Sequence, residues 1–502
     1  MTYLPVYLPS NRLWLWPNIL LPYVKIQLSS KVVEISLAFP NLHPLGRVWL
    51  PSQMTQMFVI IALLALGLMR MTLYRIEQSA VEKIKIVSFL RQNSRGIVLA
   101  GIFFVVYFLL ANIFNRQDFN TNNLYFAADT DSWKLRLADK EGYLMGMRAV
   151  HPLAFLLLRP PIQLISLIFG VAPFFAAVFL VAIIGSISVF LFHLFLLRTV
   201  GDGVYAFLFT TLFGVSTVQL LFSSLIETYI FSAFFLILLF VILQKKPLEP
   251  VFLIAGGVAL TGITVSNLIQ GFIGIMCRGV GGGRIMKYFT FVTVIVTILS
   301  FVNRVFYPNA DLLVKPAGYS VESEFIVIDL SPLEWRDRAR LVGGEIFLFS
   351  VVAPKPFART YHRDERGDFP KFNFMQGTRL SRFVGTGKTA VWFWLAIFVA
   401  GVFLFVRSLI REGLSESNRF SLAFLGCLGF NFLFHLFYGF EPFLYAANWT
   451  YALIFFTALA WRQFAESKIA QLILLTLIGM LTLNNLSFLH SLMSGLSPFI
   501  PS

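Results

Sequence analysis

Charge is scarce in this chain: Asp, Glu, Lys and Arg together make 13% of its 502 residues, against 57% hydrophobic ones. A surface drawn from that mixture would not stay in water, which excludes a soluble globular protein and makes lipid the expected solvent. Cysteine is almost missing. Cys277 and Cys427 both lie in or beside apolar runs, so neither a disulfide framework nor a cysteine-bound metal cluster is expected. Paired ligand spacing is also missing from "TYHRDERGDFPKF", where one histidine stands among acids, so that stretch reads as a solvated charge cluster. The first 55 residues lack the charged start, apolar middle and small-residue cleavage site of a secretory signal. No internal repeat relates the two halves.

What the chain has is apolar runs. They recur along most of its length at roughly 17–25 residues, enough for about eleven to thirteen spanning helices. The expected fold class is therefore an all-α polytopic membrane protein. The formal net charge of +15 comes from basic residues placed in short loops between those runs rather than on one soluble face. That placement argues against nucleic acid as a partner and follows the positive-inside rule.

The loop charges give one orientation. A marginal run at Val59 to Met69 is followed by Arg70, Arg75, Lys83, Lys85, Arg91 and Arg95, a cytoplasmic signature. Ile97 to Phe114 then leads outward, Ala172 to Leu197 returns to Arg198, Val204 to Phe222 leaves, and Ile230 to Leu243 re-enters at Lys245 and Lys246. "VFLIAGGVALTGITVSNLIQGFIGIM" is too long for one simple helix and predicts two short helices meeting at an outer break around Ser266 and Asn267. Four segments follow: 1–55, an interfacial segment or extension; 56–304, a transmembrane module with a first external loop at 116–160; 305–388, one sizeable extracytoplasmic loop; and 389–502, the C-terminal helices. No Asp, Glu, Lys or Arg follows Lys468, which favours an outside C-terminus.

Two tempting phosphate signatures are discounted. "FVGTGKT" resembles the end of a P-loop, yet the required first glycine falls at Arg382, and "RGVGGGR" lacks a preceding strand and the dinucleotide spacing.

The outer face offers chemistry. "FAADTDSWKLRLADKEGYLMGMRAVHPLAFLLLRPP", residues 126–161, sets Asp129 and Asp131 just past a spanning run, where acids usually have a partner or a task. The plain reading is a helix cap at Asp129 and a first-turn acid at Asp131. The order of parts, a spanning helix, an external loop with Asp, an aromatic four residues later, then "HPL" running back along the membrane, resembles the GT-C superfamily of integral membrane glycosyltransferases. The resemblance spans Ile97 to Leu483 and rests on short motifs. It implies transfer of a sugar from a polyprenyl-phosphate carrier to a glycan, lipid or protein acceptor on the outer face. Asp129 is then the counterpart of the catalytic acid and Asp131 the alternate, because an Asp-x-Asp replaces the family's frequent adjacent acidic pair.

Sugar transfer needs a base at the acceptor hydroxyl and cations where the leaving phosphate gains charge. Asp129 suits the first task, and Arg148, His151 and Arg159 are candidates for the second. Interfacial snorkelling accounts equally for the arginines, and His151 before Pro152 also suits a turn. The family reading places "SSLIETY" near the sugar, making Glu227 a candidate for hydroxyl binding, with a helix-start acid as the plain reading. Asn267 and Gln270 either bind sugar or satisfy broken backbone. In "GFEPFLYAANW", Glu441, Tyr445, Asn448 and Trp449 combine carboxylate, amide and ring faces suited to a sugar, although interfacial belts use the same aromatics. No cofactor is required and no metal site is assigned, since a monophosphate carrier needs none; a divalent cation stays open. Competing functions are a transporter or lipid-linked-sugar flippase, and a polysaccharide polymerase or ligase, for which Arg336, Arg338 and Arg340 of "EWRDRAR" would supply cations. The expected home is a bacterial inner membrane with its site facing outward; archaeal and endoplasmic-reticulum membranes obey the same charge rule.

Overall fold

A computed structural model describes residues 23–28, 32–38, 48–51, 85–116, 121–328, 330–354, 358–364, 367–373, 383 and 385–496. The chain divides into two compact units, Met1–Ser52 and Gln53–Ser502. The apolar run expected at Val59 to Met69 lies outside the described residues.

The first unit contains an antiparallel sheet of β1 (Tyr23–Leu28), β2 (Val32–Ala38) and β3 (Val48–Pro51), with Tyr23 opposite Ala38 and Val32 opposite Pro51. The sequence here alternates apolar and polar residues, as in "YVKIQL" and "VVEISL", which is the period of a strand.

In the second unit α1 (Lys85–Gln92) precedes α2 (Ser94–Phe114), and the first loop carries α3 (Thr130–Ala138) and α4 (Ala154–Phe169). The bundle continues through α5 (Pro173–Val200), α6 (Gly203–Gly214), α7 (Thr217–Phe222), α8 (Tyr229–Leu243), α9 (Pro250–Ile263), α10 (Asn267–Cys277) and α11 (Gly282–Phe306). Then come α12 (Pro332–Gly344), a hairpin of β4 (Ala358–Asp364) and β5 (Gly367–Asn373), α13 (Thr386–Glu412), α14 (Glu416–Phe437), α15 (Ala447–Ala460) and α16 (Lys468–Leu496). Among the described residues, six of these helices, α2, α5, α11, α13, α14 and α16, are long and apolar enough to cross a bilayer, and six shorter apolar helices pack among them. Leu167, Phe403, Ile410 and Ile469 are largely exposed on their outer surfaces. In water such a surface would aggregate; in lipid it is the expected exterior. This unit is an all-α polytopic membrane protein, with β-strands confined to one hairpin and three isolated bridges among its described residues.

The interior is organised around α15, all of whose residues are buried. Its sequence "ANWTYALIFFTALA" is apolar on every side, the pattern of a helix enclosed by others. Phe455 stacks on Phe192 of α5 with ring centroids 3.9 Å apart and on Phe424 of α14 at 4.9 Å. Such pairs add about 0.5–1.5 kcal/mol beyond area burial.

Two breaks in apolar helices shape the site end. The run Val204 to Phe222, expected as one span, divides at Val215 and Ser216. Its freed backbone groups are met by other segments: Thr217 and Val218 N–H donate to the carbonyls of Val351 and Ser350 at 3.3 Å, and the Val215 carbonyl accepts from the Asn485 side chain of α16 at 2.8 Å. The second break, Thr264 to Ser266, falls where the sequence predicts it. The first loop holds it, with Val265 N–H donating to Val150 and Leu153 N–H to Gly262.

Segment 305–388 is packed onto the bundle. Its Ser331 and Glu334 form a reciprocal cap that starts α12, and Val351, Val352 and Ala353 are fully buried beside the first break.

Candidate active site

The loop before α3 is held in a costly shape. Asn123, Phe126 and Ala127 have φ of 58°, 52° and 61°, the left-handed region that non-glycine residues avoid. Each such residue costs on the order of 1–3 kcal/mol and persists only where its surroundings fix it. Here Phe126 N–H donates to Phe372 of β5 at 2.7 Å, Phe372 N–H donates to Leu124 at 2.8 Å, and Asn123 N–H donates to Ala128 at 2.8 Å. The Phe126 ring is fully buried, 5.0 Å from Phe443 and 6.0 Å from Phe488. Segment 305–388 and the far C-terminal helix thus clamp the residues that deliver Asp129.

Asp129 occupies the cap position of α3, yet its side chain makes no capping hydrogen bond. Its half-buried carboxylate has no hydrogen-bond partner among the described residues. Its backbone N–H donates to Oε1 of Glu227 at 2.7 Å. Glu227, in the turn between α7 and α8, is buried, and its Oε2 accepts from Thr228 N–H at 3.1 Å. Two carboxyl groups therefore lie within electrostatic reach of each other. Burial, then the neighbouring Asp129 charge, pushes Glu227 up to about 8 against the hydrogen bonds that favour its anion. Burial also raises Asp129, opposed by Arg148 and Arg136. Burial thus favours a proton retained by the pair, with Glu227 raised the further of the two.

Two cations face these acids. Arg136 lies seven residues after Asp129, on the same face of α3, with its guanidinium 5.6 Å above the Trp133 ring. Arg148 follows Met147, whose carbonyl accepts from Asp311 at 2.8 Å, and lies 3.1 Å from Oε1 of Glu322 and 5.8 Å over Phe325. Tyr438 donates to the other oxygen of Glu322. Tyr445 stands 5.4 Å from Tyr229 and 5.9 Å from Tyr438, ring to ring. Burial is the main cause that pushes Tyr445 up to about 12, so it stays a neutral donor. The group Asp129, Glu227, Arg136, Arg148, Tyr229 and Tyr445 is linked by electrostatic and ring contacts at one end of the bundle.

The other sequence candidates go elsewhere. Asp131 is buried and pairs with Lys134 one turn on. His151 is buried, its Nδ1 2.7 Å from the Ile263 carbonyl, and burial followed by the Arg148 charge pushes it down to about 3. It is a neutral ring pinning the second break. Arg159 donates to the carbonyls of Arg136, Asp139 and Lys140 and sits among Tyr143, Phe155 and Tyr307. It closes the C-terminus of α3 and has little left to offer a phosphate. Arg159→Leu is expected to lower the stability of the purified protein by about 2–4 kcal/mol, read as a thermal-unfolding shift, because several carbonyls lose their donor together. Gly142→Ala is expected to be at least as damaging by the same measurement, since an added Cβ would lie 1.8 Å from the Leu135 carbonyl oxygen.

Asn267 and Gln270 form an interior polar group: Gln270 donates to Asn267 at 3.5 Å and accepts from Tyr451 of α15 at 3.0 Å. Neither contacts the Asp129 group through any of these bonds. Glu441 lies half-buried within electrostatic reach of Arg338 and Glu345, and burial, then Glu441, raises Glu345. Asn448 is buried with Oδ1 lacking a hydrogen bond. Arg338 donates to His435, Tyr438, Gly439 and Phe440, capping α14, while Arg336 and Arg340 stay exposed beside Asp337.

Sequence reasoning missed Arg136, Glu322, Tyr229 and Tyr438. The spacing of seven from Asp129 signals Arg136, Tyr229 closes the "SSLIETY" turn already singled out, and Tyr438 stands one residue before "GFEPFLYAANW". Nothing local signals Glu322. No group of three or more His, Cys, Asp or Glu side chains converges as a metal site among the described residues.

The fold and these contacts define a membrane-embedded, polytopic helical protein with a pair of neighbouring carboxyl groups at one end of its bundle. Comparison with protein-family models, curated proteins and solved structures finds no significant match.

Proposed function

We propose that this protein is a membrane glycosyltransferase of GT-C type that moves a sugar from a polyprenyl-phosphate carrier to an acceptor hydroxyl on the extracytoplasmic face. The observation that carries this reading is an Asp129 carboxylate with no hydrogen bond among the described residues, set against a buried, protonated Glu227 and faced by Arg148 and Arg136. In the reaction the acceptor O–H gives its proton to Asp129 as its oxygen bonds the anomeric carbon. The bond from that carbon to the phosphate oxygen breaks, and its electron pair stays on the phosphate. Charge then grows where Arg148 stands, which favours the transition state over the bound donor. Glu227 and Tyr445, both neutral, serve as donors to sugar hydroxyls. The loop charges support an outward-facing site, and the outer leaflet of a bacterial inner membrane is the proposed location.

The ligase reading, with a diphosphate leaving group, is weaker because Arg338 is committed to backbone carbonyls. The transporter reading draws on the interior Asn267 and Gln270 group at a broken helix. The deciding assay is transfer of radiolabelled sugar from a panel of polyprenyl-phosphate sugars by protein in lipid nanodiscs, with native-host membrane extract as acceptor source. Transfer lost in Asp129→Asn but kept in Asp131→Asn is the expected result. A wild type that binds no carrier yet moves a solute across vesicles would replace the transferase with a transporter.

A further inference from the structure

At the other end of the bundle, α5 and α8 finish and α14 begins around a cavity of about 290 Å³ lined by Arg198, Thr199, Gln244, Lys245, Glu416 and Ser417. That size admits a small polar group and is near the lower limit of ligand pockets. Arg198 and Lys245 have no carboxylate partner among the described residues. Lys245 lies 5.0 Å above the Phe252 ring instead. The one acid, Glu416, is already neutralised by Lys246 and by Arg278, the latter at 3.7 Å. Among the lining residues two cations, Arg198 and Lys245, thus stand beside one carboxylate that is already paired with Lys246 and Arg278.

The cavity floor has unmet bonding capacity. The Gln244 side-chain amide N–H₂ donates to the Phe195 carbonyl at 2.8 Å and to Thr199 Oγ1 at 2.6 Å, which fixes its orientation. Its Oε1 is buried with no hydrogen bond. A buried acceptor left in this way costs free energy that a ligand donor would recover. The N-terminal turn of α14, capped by Ser415, adds its dipole to the two free cations. Beside Lys245 the apolar side chains of Val251 and Phe252 are exposed, offering a wall along which acyl chains can lie.

We propose that this cavity binds the phosphate of an anionic ligand, a phosphodiester headgroup with a hydroxyl or amine beside it, with Arg198 and Lys245 on the phosphate oxygens and Gln244 accepting from the neighbouring donor. The exposed apolar wall favours a membrane phospholipid over a soluble phosphate as the source. The site is independent of the sugar chemistry at the opposite end.

The test is binding to detergent-purified full-length protein, by native mass spectrometry and by ligand-dependent thermal shift. Three probes are compared: dioctanoyl phosphatidylglycerol, dioctanoyl phosphatidylcholine and inorganic phosphate. Wild type is expected to take up phosphatidylglycerol preferentially, and Arg198→Gln/Lys245→Gln to bind it at least about tenfold more weakly. Ser417→Tyr, which fills the cavity without removing a cation, is expected to do the same and serves if the double variant fails to fold. Arg407→Gln/Arg411→Gln, exposed cations outside the cavity, is expected to bind as wild type does. An equal, Arg198-dependent shift with inorganic phosphate alone would assign the same site to a soluble anion. Undiminished phosphatidylglycerol binding in the cavity variants, or equal loss in the exposed pair, would overturn the proposal by reducing it to diffuse attraction.

Discussion

Asp129→Asn is expected to lower sugar transfer by a factor of about 10²–10⁴, the usual worth of a positioned general base. The asparagine is nearly isosteric, and the hydrogen bond that fixes this residue comes from its backbone N–H to Glu227, so folding and donor binding should survive. Asp131→Asn is expected to act through stability, because Asp131 is committed to Lys134. Single-turnover transfer with pre-bound donor separates the two effects. If both substitutions lowered transfer equally, the assignment of the base to Asp129 would fail. The pH profile gives a further check: burial raises Asp129, so transfer is expected to fall as pH drops, at a higher pH than an ordinary aspartate would set.

The second large effect belongs to Glu227 and is a stability effect with a defined sign. Its folded value of about 8 lies above its ordinary 4.5, so between those values the folded protein holds a proton the unfolded chain has released. Stability from this group is fully present below about pH 4.5 and is lost as pH rises through about 8, on the order of 4–5 kcal/mol in all. Thermal unfolding of wild type is therefore expected to shift downward from pH 6 to pH 9. Glu227→Gln keeps a neutral group of the same shape and is expected to flatten that dependence and to be the more stable form at pH 9. A variant with the wild-type pH dependence would show that Glu227 is not the proton holder. Because Asp129 and Glu227 titrate together, the observed midpoint belongs to the pair. Above it both acids are charged, and an anionic donor is expected to bind more weakly in wild type than in Glu227→Gln.

The two arginine caps show why composition of a loop is a poor guide to its chemistry. Arg159 and Arg338 both read as cations waiting for phosphate. Each instead turns its planar fork onto the carbonyls that end a helix, α3 and α14 respectively. A guanidinium has five donors and no acceptor, so a buried helix end with several free carbonyls is as good a partner as a phosphate. Which partner it takes depends on what packs nearby, and that is invisible in a run such as "LLLRPP" or "EWRDRAR".

By itself the sequence determined that the protein lives in a membrane, where its main apolar helices lie, and where α9 gives way to α10. These follow from local hydropathy, because in lipid each helix satisfies its own backbone and needs no distant partner to be recognised. It also singled out Asp129, Glu227, Arg148 and Tyr445 as candidates. Only the tertiary structure decided that these four face one another, that the carboxylate of Asp129 and not that of Asp131 is left without a partner among the described residues, and that Glu322 and Arg136 join them. Those outcomes rest on contacts between residues far apart in the chain, such as Asp129 with Glu227 and Arg148 with Glu322. The break at Val215 is shared between sequence and tertiary structure, since Gly214 and the Ser216 cap mark it locally. Its donors are satisfied by Ser350 and Val351, and an apolar helix breaks only where another part of the fold supplies what the ladder loses.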